Sequence, residues 1–286
     1  MINKQSAARR SAFLLVAGAT AIAVAASLAG CGRKADKDIA KITIVGSSTI
    51  APLMSEIAKA FEKKNPGVRI DVQSGGTSRG VLDVRQGTAQ IGMVSRALKA
   101  DEQSELRRVL LALDGLSLIV HKSNPVKSLS KDQVVGIYSG KITNWRDVGG
   151  PDLPINVVSK AEGRSTLEIF SHYFGLPYKD IKAHVVIGDN QQGIQTVSGV
   201  PAGIGYVSIG TAEYEAGHGA AIRLVPLDGH VPSTAAVAQG GYPLSRELNL
   251  VFKADNEAQL DGLLKFAKTP EAAQLATKQF FVPAAR

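Results

Sequence analysis

The sequence predicts an α/β protein: short β-branched runs alternate with helical stretches whose apolar residues recur every three to four positions. Glycine, proline or asparagine punctuates most of the switches. Such alternation predicts mainly parallel strand pairing. The chain has 286 residues and a single cysteine, Cys31. Packing rather than disulfides must therefore hold the core. Roughly 250 residues beyond the N-terminal segment are ample for a core in two lobes.

Residues 41–46 (KITIVG) predict a strand, and 50–64 a helix with Ile50, Leu53, Met54, Ile57, Ala58 and Phe61 on one face. Asn65-Pro66-Gly67 stops that helix. A strand at 68–73, a short helix ending at Gly87 and a strand at 90–94 follow. The apolar stretch 109–121 (VLLALDGLSLIVH) predicts a strand, a break at Asp114-Gly115 and a second strand. Then come helix 130–138, strand 154–158, helices 165–174 and 189–198, and strands 203–207 and 221–225. Strand 247–253 and helices 256–267 and 270–279 complete the pattern, with no fixed-period repeat and no low-complexity segment.

The N-terminal segment has a different character. Lys4, Arg9 and Arg10 precede an almost wholly small or apolar stretch at 11–30, the layout of a secretory signal. The stretch ends Leu28-Ala29-Gly30-Cys31, which resembles a bacterial lipobox and implies a lipid on Cys31. Residues 1–30 are thus expected to be a lipoprotein signal peptide, and 31–40 a flexible polar tether.

The formal net charge is +8, and +5 from Cys31 onward, where 30 basic residues face 25 acidic ones. A positive excess favours anionic ligands. Nucleic acid is not indicated, since no long basic run occurs and few aromatics lie near basic residues.

Three patches share one design: Gly46-Ser47-Ser48-Thr49, Gly75-Gly76-Thr77-Ser78 and Gly163-Arg164-Ser165-Thr166. Each places glycine and hydroxyl residues before a predicted helix. A helix N-terminus exposes unpaired N–H groups and a positive dipole end. Glycine admits a ligand to the backbone, and Ser and Thr add donors. Three such patches point to an anion site, with Arg79, Arg96, Lys160 and Arg164 as candidate counter-charges. No GxxxxGK[ST] loop is present, so nucleotide binding is not indicated. The five histidines, His121, His172, His184, His218 and His230, show no metal-ligand spacing, and no GxSxG elbow occurs. Asp101-Glu102 reads as a helix start on the surface.

The chain resembles the phosphate-binding proteins of bacterial ABC importers, the Pst type within the periplasmic-binding-protein superfamily. The likeness rests on VGSSTIAPL (45–53), FEKKNPGVRIDVQSGGTSRG (61–80), IGMVSRALK (91–99), IYSGKITNWRDVGG (137–150), AEGRSTLEIF (161–170), AGIGYVSIG (202–210) and YPLSREL (242–248). It implies a type II binding-protein fold, with a ligand cleft between a lobe of 41–115 plus 243–286 and a lobe of 119–239. It also implies phosphate contacts from Ser48, Thr49, Thr77, Ser95, Lys160, Arg164, Ser165 and Thr166, with Ser78, Arg79 and Arg96 as further candidates. Two departures stand out. Ser95 sits where some members carry an Asp that accepts a proton from hydrogen phosphate, and Lys160 where many carry Arg.

The resemblance implies no enzyme activity, no cofactor and no metal. Its partners would be inorganic phosphate, the membrane subunits of an ABC importer, and a membrane reached through the lipid anchor. The expected state is an exported monomer on the periplasmic or cell-surface side. The alternatives are a receptor or sensor for sulfate or molybdate, and a phosphate-ester hydrolase.

Overall fold

The computed structural model describes residues 39–284. The expected signal peptide, Cys31 and nearly all of the tether lie outside the described residues. β1 (Ala40–Gly46), α1 (Ala51–Lys64), β2 (Val68–Ser74), α2 (Thr77–Gln86), β3 (Ile91–Val94) and α3 (Ala100–Glu105) lead into the long β4 (Arg107–His121). Then follow α4 (Lys131–Tyr138), β5 (Asn156–Lys160), α5 (Ser165–Phe174), β6 (Val185–Ile187), α6 (Asn190–Gly199), β7 (Gly203–Ser208), α7 (Ile209–Gly217), β8 (Ile222–Val225) and α8 (Thr234–Ala238). β9 (Ser245–Phe252), α9 (Glu257–Phe266), α10 (Pro270–Lys278) and β10 (Val282–Pro283) end the described chain.

Local sequence explains the first helix. Ile50, Leu53, Met54, Ile57, Ala58 and Phe61 are all buried on one face of α1. Pro52 is in its first turn, where a missing N–H costs nothing, and Lys63 and Lys64 suit the negative end of its dipole. Asn65 ends the helix, its side-chain amide donating to the Phe61 carbonyl at 2.9 Å.

The strands form one ten-stranded sheet in the order β2-β1-β3-β9-β4-β7-β5-β6, with β8 and β10 also paired to β4. The expected mainly parallel sheet is corrected to a mixed one. β1 pairs parallel with β2 and β3, and β5 with β6 and β7. Every pairing of β4 and β9 is antiparallel. The cause is topological: β9 returns from a distant part of the chain and inserts between β3 and β4, so no local βαβ unit sets its direction.

The expected break at Asp114-Gly115 is also corrected, because β4 runs unbroken through both residues. Asp114 tolerates a buried strand position because its carboxylate accepts from Arg246 and from the Gly210 N–H. Gly115 serves close packing rather than a turn, since a Cβ there would lie 2.6 Å from Ile209 Cδ1. What does change at this point is the partner: residues 107–115 pair with β9, and 116–120 with β7.

The apolar cores follow the same division. One set packs α1, α9 and α10 on β1, β3, β9 and the first part of β4, with α2 on the other side. The other set is drawn from residues between Leu116 and Leu244 and contains the buried Trp145, Tyr138, Phe170 and Tyr206. β4 is therefore shared by both sets, and it carries the chain from one to the other.

Candidate functional site

The three glycine–hydroxyl patches, separated by up to about a hundred residues, converge on one small pocket of about 10 Å³. Its lining is Ser47, Ser48 and Thr49 from the turn after β1, Gly76 and Thr77 at the start of α2, and Arg164, Ser165 and Thr166 at the start of α5. The second and third patches touch directly, the Ser78 N–H donating to the Gly163 carbonyl at 3.2 Å. That is far below the 300 Å³ or so typical of pockets for larger organic ligands. No carboxylate belongs to the lining. Hydroxyls, backbone N–H groups and one guanidinium face the pocket, a donor-rich set that matches an anion.

Six of the expected contacts, Ser48, Thr49, Thr77, Arg164, Ser165 and Thr166, line the pocket. Ser95 lies immediately behind them, almost wholly buried. Its hydroxyl accepts from Ser47 Oγ at 2.7 Å and lies 2.5 Å from Ser165 Oγ. Its N–H donates to Thr77 Oγ1 at 3.3 Å, so one serine ties all three patches together.

Lys160 is not part of the lining. Its Nζ donates to the Asp189 carbonyl at 2.6 Å and to Asn190 Oδ1 at 3.2 Å. Burial lowers its pKa from 10.5 to about 7; the Asp189 charge opposes that shift, whereas Arg246 and Arg164 add to it. The ammonium is therefore poised to gain or lose its proton near neutrality.

The three further candidates are placed elsewhere. Ser78 donates to Glu168 Oε1 at 3.2 Å. Arg79 is exposed and lies 3.3 Å from Asp83. Arg96 is buried, but its donors go to Glu102 at 2.7 and 2.8 Å and to Glu168 at 2.8 Å. Glu102 is thus buried in an ion pair, which corrects the reading of Asp101-Glu102 as a wholly surface helix start.

Two residues outside the expected set, Arg246 and Asn190, donate to lining hydroxyls. Arg246 donates to Thr49 Oγ1 at 3.1 Å and to Thr166 Oγ1 at 3.3 Å. Asp114 holds Arg246, and the Asn190 amide donates to Thr49 Oγ1 at 3.0 Å. Arg246 lies in the YPLSREL stretch, but nothing in its local pattern separates it from a surface arginine.

The comparisons with known proteins agree with this architecture. A family model described as a PBP superfamily domain matches residues 32–271. The chain belongs to the PBP superfamily, the periplasmic-binding-protein group. A solved phosphate ABC transporter substrate-binding protein from Clostridium perfringens, with bound phosphate, is similar at 31% identity and a TM-score of 0.79, covering 86% of this chain and 100% of that one. An ABC-type phosphate transport receptor from Vibrio cholerae is similar at 30% identity and a TM-score of 0.70, covering 85% of this chain and 100% of that one. The phosphate-binding protein PstS of Bacillus subtilis is 27% identical over 94% of this chain and 92% of its own length.

Proposed function

We propose that this protein captures inorganic phosphate outside the cytoplasm and delivers it to the membrane subunits of an ABC importer. The observation that carries the reading is the convergence of three glycine–hydroxyl patches on a pocket lined by donors. The relative with bound phosphate supports the choice of ligand. Ser48, Thr49, Thr77, Arg164, Ser165 and Thr166 contact the anion. Ser95 braces the three patches, and Lys160 supports the site from behind. The lobes, 41–115 with 243–286 and 119–239, close on the ligand, and a lipid on Cys31 keeps the receptor near its importer by raising the effective concentration there.

Calorimetric titration of the purified chain with phosphate, sulfate and molybdate tests this reading. Phosphate is expected to bind with micromolar or better affinity, about 8 kcal/mol of net binding free energy. Heat with sulfate or molybdate but none with phosphate would sink the assignment. Sulfate is the second reading, because the lining has no carboxylate to accept a ligand proton. Membrane fractionation of the chain beside its Cys31→Ser variant checks the anchor.

Lys160 makes the site sensitive to pH. Its folded pKa of about 7 lies below the ordinary 10.5, so between these values the unfolded chain holds a proton that the folded chain has lost. The ligand-free protein is therefore expected to gain stability from this group as pH rises through that window. A bound anion favours the charged ammonium, against the repulsion of Arg164 and Arg246 and alongside the attraction of Asp189. Titrations at pH 8 in two buffers of different ionisation enthalpy should reveal proton uptake on binding, and Lys160→Met should lose that component. Identical uptake in the variant would show that Lys160 is not the group responsible.

A further inference from the structure

Arg246 lies at the start of β9, and its side chain is almost wholly buried. Asp114, on the shared strand β4, accepts from its Nε at 3.0 Å and its Nη2 at 2.7 Å. The other Asp114 oxygen accepts the Gly210 N–H at 3.1 Å. The carboxylate thus holds the guanidinium from one side, which leaves the remaining donors to face the pocket: Nη2 to Thr49 Oγ1 at 3.1 Å and Nη1 to Thr166 Oγ1 at 3.3 Å.

A hydroxyl has two acceptor positions and one proton. Thr49 Oγ1 receives Arg246 Nη2 and, at 3.0 Å, the Asn190 amide. In the charged form that a bound anion favours, Lys160 fixes which way that amide points: an ammonium only donates, so Asn190 Oδ1 faces Lys160 and the NH₂ group faces Thr49. With both acceptor positions filled, Thr49 can only donate its own proton, and Thr49 lines the pocket.

Resting on the proposed function, we infer that Arg246, held by Asp114, is a positioning residue for the anion. It turns Thr49 into an obligate donor, orients Thr166 in the same sense, and presents buried positive charge behind both. The ligand class this selects is a tetrahedral oxyanion with an unprotonated oxygen at Thr49. An ammonium, or a ligand hydroxyl that points its proton at Thr49, would meet a donor and no acceptor. Low solvent exposure keeps the charge effective, because it is little screened by salt.

The test uses the full chain. Arg246→Met alone would strand the buried Asp114, so it is combined with Asp114→Leu, which removes both charges at similar volume. The double variant is expected to fold and to bind inorganic phosphate about 100-fold more weakly in calorimetric titration. A folded double variant with an affinity within about threefold of the parent would overturn the inference. Should the double variant fail to fold, Thr49→Val and Thr49→Ser decide the matter. Valine keeps the shape and loses the donor, whereas serine keeps the donor and loses a methyl. A loss of about tenfold or more in Thr49→Val, with Thr49→Ser close to the parent, supports the inference. Equal affinities in parent and Thr49→Val overturn it. If the parent itself binds no phosphate, sulfate or molybdate, the functional reading fails and this inference with it; unchanged affinity in the variants fails this inference alone.

Discussion

Gly76→Val is expected to weaken phosphate binding by about 100-fold, or roughly 2.7 kcal/mol. Gly76 precedes α2 with φ at +92°, a conformation that a β-branched residue adopts only under strain. Space is a second obstacle. A Cβ at this position would lie 2.8 Å from the Gly163 carbonyl oxygen and 3.0 Å from Arg164 Cδ. The second and third patches would have to separate, carrying Arg164, Ser165 and Thr166 away from Thr77. Several donors would then miss a small anion together, and misplacement of about 1 Å is enough for a loss of this size. Gly67→Val is the control, because nothing lies within 4 Å of a Cβ there. Calorimetric titration of both variants checks the result: comparable affinities would mean that contact between the patches does not govern binding.

Arg96→Met is expected to destabilise the fold by about 3–5 kcal/mol while changing phosphate affinity less than about tenfold. Arg96 makes a bidentate pair with Glu102, and both side chains are buried, at 9% and 4% exposure. Burial works against the charge on Glu102, but the Arg96 hydrogen bonds and the Lys99 N–H prevail and hold its pKa below the usual carboxylate range. Without Arg96 that carboxylate is left with the Lys99 N–H at 2.9 Å. Glu168 also loses its 2.8 Å partner, although Lys99 lies 3.7 Å away. The melting temperature should fall by on the order of 10 °C. The sign with pH follows from the depressed carboxylate: its contribution is present above the ordinary carboxylate pKa and is lost as pH falls through the lower folded value. The difference in stability between parent and variant should therefore shrink in acid. A large loss of affinity with little loss of stability would instead return Arg96 to the binding site.

Much of the fold was legible in the chain. The 3.6-residue face of α1 and the β-branched runs of β1, β5 and β7 are local signals, and each lies within two residues of its expected bounds. Four elements were not read from the sequence, and of α3 only the start was, at Asp101-Glu102. α3 has six residues and α8 five, too short to show a periodicity, and α7 begins directly at the end of β7 without a break residue. β6 and β10, of three and two residues, exist through their pairings with β5 and β4. Strand direction was misread because a parallel pair and an antiparallel pair can carry the same apolar run. Only the return path of β9 distinguishes them.

For the site, the sequence by itself determined the chemistry: glycine for backbone approach, hydroxyls for donation, and Arg164 within the third patch. Those properties reside in single residues and their immediate neighbours. Tertiary structure alone decided which cations serve the pocket. Arg79, Arg96 and Arg246 have the same intrinsic charge, yet Arg79 stays in solvent and Arg96 is consumed by Glu102 and Glu168. Arg246 is aimed at Thr49 and Thr166 because Asp114, 132 residues away, occupies its opposite side. A buried cation's role is set by the partners that surround it, and for Arg246 those partners come from strands and helices that meet only in the folded chain.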